Sequence, residues 1–455
     1  LVKENFCAQK RKIIILKKGG TVMSKHSPAN GVLTIDSVVE MHVGEETKKS
    51  LLYITSLIWM FDAAGVLALS FTLPSISKEW ALSVQQSANI LSSTFLGMLV
   101  GALSVGFVAD LFGRKLSNLI YFLMTILFST VLGFTNSAST FMVFRFFAGI
   151  GYGGLMPSVN AYFAEFLGKG LRGAYLVLLE ASWAIGSILI GLVAVLTVQN
   201  NWRITYWVFA TGLLLLPVLL KLPESPKFAF KKHGKVGLEK VLRIELREEI
   251  ESIPESKITV IDILRKPYFT RTIMIWTSWF VVSFVYYVLF SWAPKIFAQQ
   301  GLSATKSLWF TFFMMVAQLP GYLSAAYSIE KLGRKKSLAL YFFGMAITAI
   351  LWAFVANTVQ LIFVALLLSF FTLGVWGLVY AYTPELYPTS MRGTGNGMAG
   401  VIARIAGILA PQFGGYMFAL NKSLLEIFSW LAVLSVIASV VVLIFGIETK
   451  NAEIS

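Results

Sequence analysis

The chain has 455 residues, 56% of them hydrophobic and only 13% charged, with a mean hydropathy of +0.73. Soluble domains carry about 25% charged residues, so this chain cannot coat a water-facing surface of its own size, and disorder, a disulfide scaffold and a soluble enzyme are excluded together. A net charge of +15 would point to nucleic acid in a soluble protein. Here the basic residues fall between apolar segments, so the expected partner is the lipid bilayer and no nucleic acid is expected. The single cysteine, Cys7, forms no internal disulfide, and His26, His42 and His233 make neither a metal site nor a membrane proton relay.

Residues 1–50 form a polar, basic tail whose one apolar patch, Ile13 to Leu16, is too short for a signal peptide. Lys17-Lys18-Gly19-Gly20 ahead of Met23 is what an in-frame purine-rich ribosome-binding stretch would encode. Translation is therefore expected to start at Met23, leaving residues 1–22 without function. Twelve apolar runs follow, near 51–73, 86–108, 116–135, 139–162, 172–197, 203–221, 271–293, 306–328, 337–355, 360–381, 393–418 and 424–446. Each is about the length needed to cross a bilayer as a helix. The reading is an all-α membrane protein: a six-helix bundle over 51–222, a cytoplasmic linker with short helices over 223–270, a second bundle over 271–447, and a tail over 448–455. Basic residues crowd the loops on one side, among them Lys48, Lys49, Arg114, Lys115, Lys169, Arg172, Lys331, Arg334, Lys335, Lys336 and Arg392. The positive-inside rule puts that side, and both termini, in the cytoplasm.

An internal repeat runs at an offset of 220 residues. Pro74 matches Pro294, Leu82-Ser83 matches Leu302-Ser303, and Asp110, Gly113, Arg114 and Lys115 match Glu330, Gly333, Arg334 and Lys335. Glu165, Arg172 and Gly173 match Glu385, Arg392 and Gly393. Two six-helix halves in the same orientation predict parallel repeats about an axis along the membrane normal, with a mid-bilayer cavity between them.

The matched loops carry paired acids and bases. Asp110 ends a helix whose own dipole repels it, so it needs a cationic or helix-N-terminal partner. The Glu-x6-Arg-Gly spacing of Glu165/Arg172 and Glu385/Arg392 predicts an acid and a base at the two ends of a short turn. With Glu224, these charges are expected to form a cytoplasmic gate, paired only when the inner side is shut.

Four ionisable residues lie inside apolar segments: Asp62, Arg145, Glu180 and Arg404. Such charges face a cavity and a partner. At 1.5 Å per residue, Asp62 and Arg404 each lie ~18 Å from the inner ends of their helices, Glu180 ~12 Å above Arg172, and Arg145 nearer the outer face. Three of the four belong to the first half, which leaves one acid in excess there. Asp62 first and Glu180 second are the candidates for proton coupling. Asn396 and Gly400 share a helical face with Arg404, and Tyr152, Trp183, Tyr286, Tyr287 and Trp376 are candidates to line an organic-substrate pocket. Glycines at small-xxx-small spacing, Gly97/Gly101 and Gly393/Gly397/Gly400, predict close helix packing.

These motifs carry a family resemblance. Gly106 to Lys115 resembles the loop signature of the major facilitator superfamily, and Leu222-Pro223-Glu224-Ser225-Pro226-Lys227 resembles a box of its sugar-porter and organic-ion branches. Tyr382 to Thr389 followed by Arg392-Gly393 is similar to the corresponding second-half loop, and Arg145-x3-Gly149-x-Gly151-x-Gly153 to the fourth-helix pattern. Ala403 to Pro411 resembles the eleventh helix of organic anion transporters and aromatic acid:proton symporters, where an Arg faces the substrate. Trp279 to Pro294 resembles the seventh helix of those branches and departs from hexose carriers, as does Glu180, where many sugar porters have Gln. The resemblance implies a multi-pass plasma-membrane carrier in which Arg404 faces the substrate; Asn396, Arg145 and the five aromatics are the further candidates to contact it. The expected function is proton-coupled symport of a small organic anion. A sugar:proton symporter is the alternative, and a non-transporting receptor is disfavoured by intact gate charges in both halves. No GxxxxGK[ST] is present, so the proton gradient is the expected driving force, with no cofactor, and the carrier is expected to act as a monomer.

Overall fold

A backbone in lipid has no water to satisfy its N–H and C=O groups, so long apolar runs must become helices. The computed structural model describes residues 33–246, 250–251, 259–388 and 390–450; the proposed start at Met23 and residues 1–22 lie outside them. The first half contains α1 (Ile35–His42), α2 (Glu45–Glu79), α3 (Val84–Phe112), α4 (Arg114–Leu132), α5 (Ala138–Ala164) and α6 (Lys169–Asn201). It ends with α7 (Ile204–Trp207), a 3₁₀ stretch (Val208–Leu215) and α8 (Leu216–Lys221). The linker holds α9 (Pro226–Leu242) and α10 (Val260–Ile263). The second half contains α11 (Phe269–Gln299), α12 (Ala304–Val316), α13 (Gln318–Leu332), α14 (Arg334–Ala353), α15 (Thr358–Tyr382), α16 (Arg392–Ala419) and α17 (Leu424–Phe445). Among the described residues, eleven spans are long and apolar enough to cross a membrane. The twelfth expected run is the 27-residue helix α5, which falls short in apolarity because Arg145, Asn160 and four glycines between 149 and 154 dilute it.

Two expected helices are interrupted. Pro217 has no N–H for the carbonyl of Leu213, which takes the N–H of Leu216 instead, and the sixth segment runs as 3₁₀ there. The eighth breaks at Ala317, where Pro320 likewise cannot donate to the carbonyl of Val316.

The repeat has a physical content. Ser83 and Ser303 are N-caps, accepting from the backbone N–H of Gln86 and Lys306, and Ser137 and Asn357 cap α5 and α15 in the same way. Tyr121 bonds Ser104 at 2.9 Å, and Tyr341 bonds Ser324 at 2.8 Å. A side chain on Gly101 would strike the carbonyl of Ile150, and one on Gly321 that of Phe370. Each half is thus knitted by the same contacts, with α3 packed tightly on α5. Between halves, α3 packs on α16, α2 on α11 and α6 on α12.

The linker is shared out. Strand β1 (Leu33–Thr34) pairs in parallel with β2 (Ile250–Glu251), and α9 docks on the first half, where Lys227 donates its backbone N–H to Glu165. Beyond the linker's middle, Ile263 of α10 accepts from Thr272 of α11 at 2.6 Å. The end of the bundle carrying α1 and Glu448 is called the base here, and the opposite end the crown.

Candidate functional site

At the base, α3 and α13 end at Gly113 and Gly333, with φ of +92° and +86° and ψ near 180°. Only glycine holds that conformation without strain. The same positions must lack a side chain for a second reason: one would collide with the carboxylate of Glu224 or of Glu448. Those carboxylates sit on the free N–H groups that open the next helices. Glu224 accepts from the N–H of Lys115 at 3.0 Å, and Glu448 from those of Arg334 at 2.8 Å and Lys335 at 3.3 Å. Burial works to raise the pKa of Glu448, but the N–H groups of Lys450, Arg334 and Lys335 outweigh it and hold it below the ordinary value. Glu448 escaped the sequence reading because its offset from Glu224 is 224 rather than 220.

Arg114 bonds Asp110 and Glu165, each at 3.2 Å, and Arg334 grips Glu385 with two donors at 2.8 and 2.9 Å, 3.8 Å from Glu330. Burial raises the pKa of Glu165 despite Arg114. The acid–base turns expected within Glu165/Arg172 and Glu385/Arg392 are not formed. Arg172 pairs instead with Asp36 of α1 at 3.2 Å, and Arg392 donates to the carbonyl of Tyr387 at 3.1 Å, because each glutamate is already engaged by an arginine from the neighbouring loop. Asp36 also meets Lys227 at 3.4 Å. Burial pushes its pKa up, Lys227 and Arg172 more than reverse this, and the carboxyl lies below its ordinary value. Lys115 reaches the carbonyl of Leu220, and Lys335 contributes its backbone N–H. Each of these base ion pairs stays within one half or joins that half to its own flanking segment.

The halves meet at the crown. Gln412 of α16 accepts from Gln85 at 2.6 Å and donates to Asn89 at 3.1 Å and Ser92 at 3.0 Å, all on α3. Ser92 in turn donates to the carbonyl of Ile408 at 2.8 Å, and Phe95 lies 4.3 Å from Tyr287.

Midway along the bundle the intramembrane charges converge. Asp62 is wholly buried, and neither of its oxygens has a hydrogen-bond partner among the described residues. Arg404 and Glu180 are the charges within electrostatic reach of it. Arg404 is 4% exposed; its Nη2 lies 3.0 Å from the sulfur of Met156, a weak acceptor, and its Nε has no partner among the described residues. Glu180 is half-buried and accepts from Asn160 at 3.0 Å. Against these stands an aromatic wall from the second half. Tyr286 stacks on Trp376 at 5.6 Å, Tyr287 is 5.1 Å from Tyr286, and Trp279 lies 4.7 Å from Tyr380. Trp183 is buried on the first-half side, and Asn396 is exposed two turns nearer the base than Arg404.

Arg145 and Tyr152 also brace the first half. Arg145 donates to Thr94 at 2.9 Å and to the carbonyls of Gly65 and Val66 at 3.0 and 3.5 Å, and lies over the Tyr152 ring. Tyr152 bonds Ser129 at 2.6 Å. Together they tie α2 to α3, α4 and α5, and Arg145 also lines a cavity with Phe95 and Tyr287. Sequence reasoning missed Met156, Asn160, Trp279 and Tyr380. The i, i+4 spacing of Met156, Asn160 and Ala164 on α5 was a usable signal; the facing of Trp279 and Tyr380 was not.

Chemically, an arginine with vacant donors takes a carboxylate, aromatic faces take a flat ring, and a sealed carboxylate can carry a proton. The comparisons agree with a carrier. The model of the Major Facilitator Superfamily matches residues 54–411 and 301–454. The chain is 35% identical over 410 residues to the "Putative niacin/nicotinamide transporter NiaP" of Bacillus subtilis (strain 168), covering 90% of this chain and 98% of that one. It is 32% identical to the "Niacin transporter NiaP" of Acinetobacter baylyi, over 88% of this chain and 94% of that one. Its fold is like that of a D-xylose-proton symporter crystal structure, with a TM-score of 0.71 and 19% identity over 89% of this chain and 99% of that one. Repeated halves, shared loop chemistry and these relatives lead to one conclusion: the chain belongs to the major facilitator superfamily, as a multi-pass transporter of the plasma membrane and not an enzyme.

Proposed function

We propose that the protein moves a small aromatic carboxylate of the nicotinate class across the membrane by proton-coupled alternating access. The observation that carries this reading is Arg404, buried at 4% exposure with an unpartnered Nε beside an aromatic wall. Two relatives named for niacin support the substrate class. In this reading the chain crosses the membrane twelve times, α5 included, and the base with both termini faces the cytoplasm. Arg404 takes the carboxylate, the rings of Trp376, Tyr286 and Tyr287 take the substrate's ring with Trp183 opposite, and Asn396 stands at the mouth. Asp62 and Glu180 hold the coupling proton. The proton gradient drives a monomer that needs no cofactor and no nucleic acid.

A sugar:proton symporter is the second reading. It is favoured by the amide of Gln318, whose buried Oε1 is unpartnered near Tyr286 and could serve a hydroxyl. Uptake of labelled nicotinate, nicotinamide and xylose into proteoliposomes separates the two. Arg404→Lys keeps the charge but loses the planar fork, so nicotinate binding should weaken by roughly 1.5–3 kcal/mol, more than tenfold. Undiminished nicotinate uptake in Arg404→Ala would remove the carboxylate reading.

A further inference from the structure

Helix α16 presents two different surfaces on one face. Successive residues turn by about 100°, so Gly393, Gly397, Gly400 and Arg404 lie within a narrow stripe along it. Close packing was the sequence expectation for these glycines, and it holds for Gly97 and Gly101 of α3, where a side chain would strike the backbone of α5. It fails on α16. Among the described residues, a methyl group placed on Gly393, Gly397 or Gly400 would meet no atom within 4 Å. Past Arg404 toward the crown, the same face is filled: Gly407 abuts the Phe95 ring and Gly414 the Trp292 ring, and Phe418 is buried.

This open stripe does not face lipid. The exposed apolar side chains of α16, Ile405, Leu409 and Tyr416, lie about a third of a turn away. The stripe shares its direction with Gly407, which touches Phe95 of the first half, so it looks into the space between the halves. The internal repeat places Glu180 of α6 at the position equivalent to Gly400, and Glu180 is half-buried where Asp62 is sealed. At its deep end stands Arg404, nine-tenths buried, with Nε unpartnered. Side chains on a helix lean toward its N-terminus, which for Arg404 is toward Gly400 and the base.

We propose that the Gly393–Gly397–Gly400 face of α16 is the passage by which the transported solute moves between Arg404 and the solution at the base. The absence of side chains sets the width of that passage. A substituent at Gly400 narrows it one turn below the arginine; one at Gly393 sits at its mouth. The inference concerns the route and not the identity of the solute.

The test uses the full chain with Cys7, its single cysteine, replaced by serine. Cysteines are introduced singly by Gly393→Cys, Gly397→Cys, Gly400→Cys and, on the lipid side, Leu409→Cys. A membrane-impermeant, negatively charged methanethiosulfonate is applied from the base side in oriented vesicles. Reaction at 393, 397 and 400 but not 409 is expected, with loss of nicotinate uptake once position 400 is modified. An unreactive Gly400→Cys beside a reactive Gly393→Cys would overturn the proposal, as would full modification at 400 with uptake intact. If the unmodified Cys7→Ser chain moves no nicotinate, the carboxylate reading falls, and the labelling pattern alone decides for or against the passage.

Discussion

Gln412→Ala should unlatch the crown. In this structure the Gln412 side chain makes three hydrogen bonds across the halves, to Gln85, Asn89 and Ser92. All three exist only while the crown is closed, so they bias the equilibrium by their full differential worth. Gln85 and Asn89 are exposed and water replaces their bonds readily, whereas Ser92 is 8% exposed. Counting about 0.5 kcal/mol for each exposed bond and about 1 for the third gives roughly 2 kcal/mol. That corresponds to a roughly thirtyfold shift toward the crown-open state. Ser92 keeps its bond to the carbonyl of Ile408 at 2.8 Å, so no buried hydroxyl is orphaned and the fold should survive. Spin labels at Asn136 and Ala356, exposed repeat-related positions on the two halves, would report the crown distance by double electron–electron resonance. A change in the closed-to-open ratio smaller than twofold would refute the view that these amides hold the crown shut.

Asp62→Asn should abolish pH-driven accumulation of substrate in proteoliposomes while leaving exchange of labelled substrate largely intact; full accumulation in both Asp62→Asn and Glu180→Gln would move the coupling elsewhere. Gly333→Ala places a side chain at a φ of +86° and against Glu448, so it should cost about 1–3 kcal/mol of stability, read as a lowered melting temperature; an unchanged melting temperature counts against the tight turn. Asp36 binds its proton more weakly in the folded chain than its ordinary value of 3.8 allows. Its contribution is therefore present above that value and lost as pH falls through the lower folded one. The distance from α1 to α6 should thus hold over about pH 5–8 and change in Asp36→Asn.

Much of the architecture was legible because it rests on local chemistry. Serine and asparagine caps, the Gly113 and Gly333 turns and the 220-residue repeat are written in residue types that admit few conformations. The pairings were harder to read. Glu165 and Arg172 are close in the chain, yet each is claimed by a partner that only the fold brings near, Arg114 and Asp36. Direction around a helix was also hidden. Gly97 and Gly397 carry the same spacing signal, and only the neighbouring helix decides whether the space above is filled or empty. Asp62, Glu180 and Arg404 were identifiable as costly intramembrane charges; the spacing of Met156 and Asn160 marks a shared face of α5, but only the fold brings the Met156 thioether to Arg404 of the other half.

The partition of the linker has a practical consequence. The described residues flanking the first half, 33–42 and 224–251 apart from 247–249, are fastened to it through the β1–β2 pairing, the Asp36–Lys227 pair and Glu224, while α10 is fastened to the second half through Thr272. Glu448 closes the second half's loops on its own polypeptide. Among the described residues, a cut between Glu251 and Thr259 severs neither set of fastenings, so two separately translated fragments should find one another in the bilayer along α3 and α16 and regain transport.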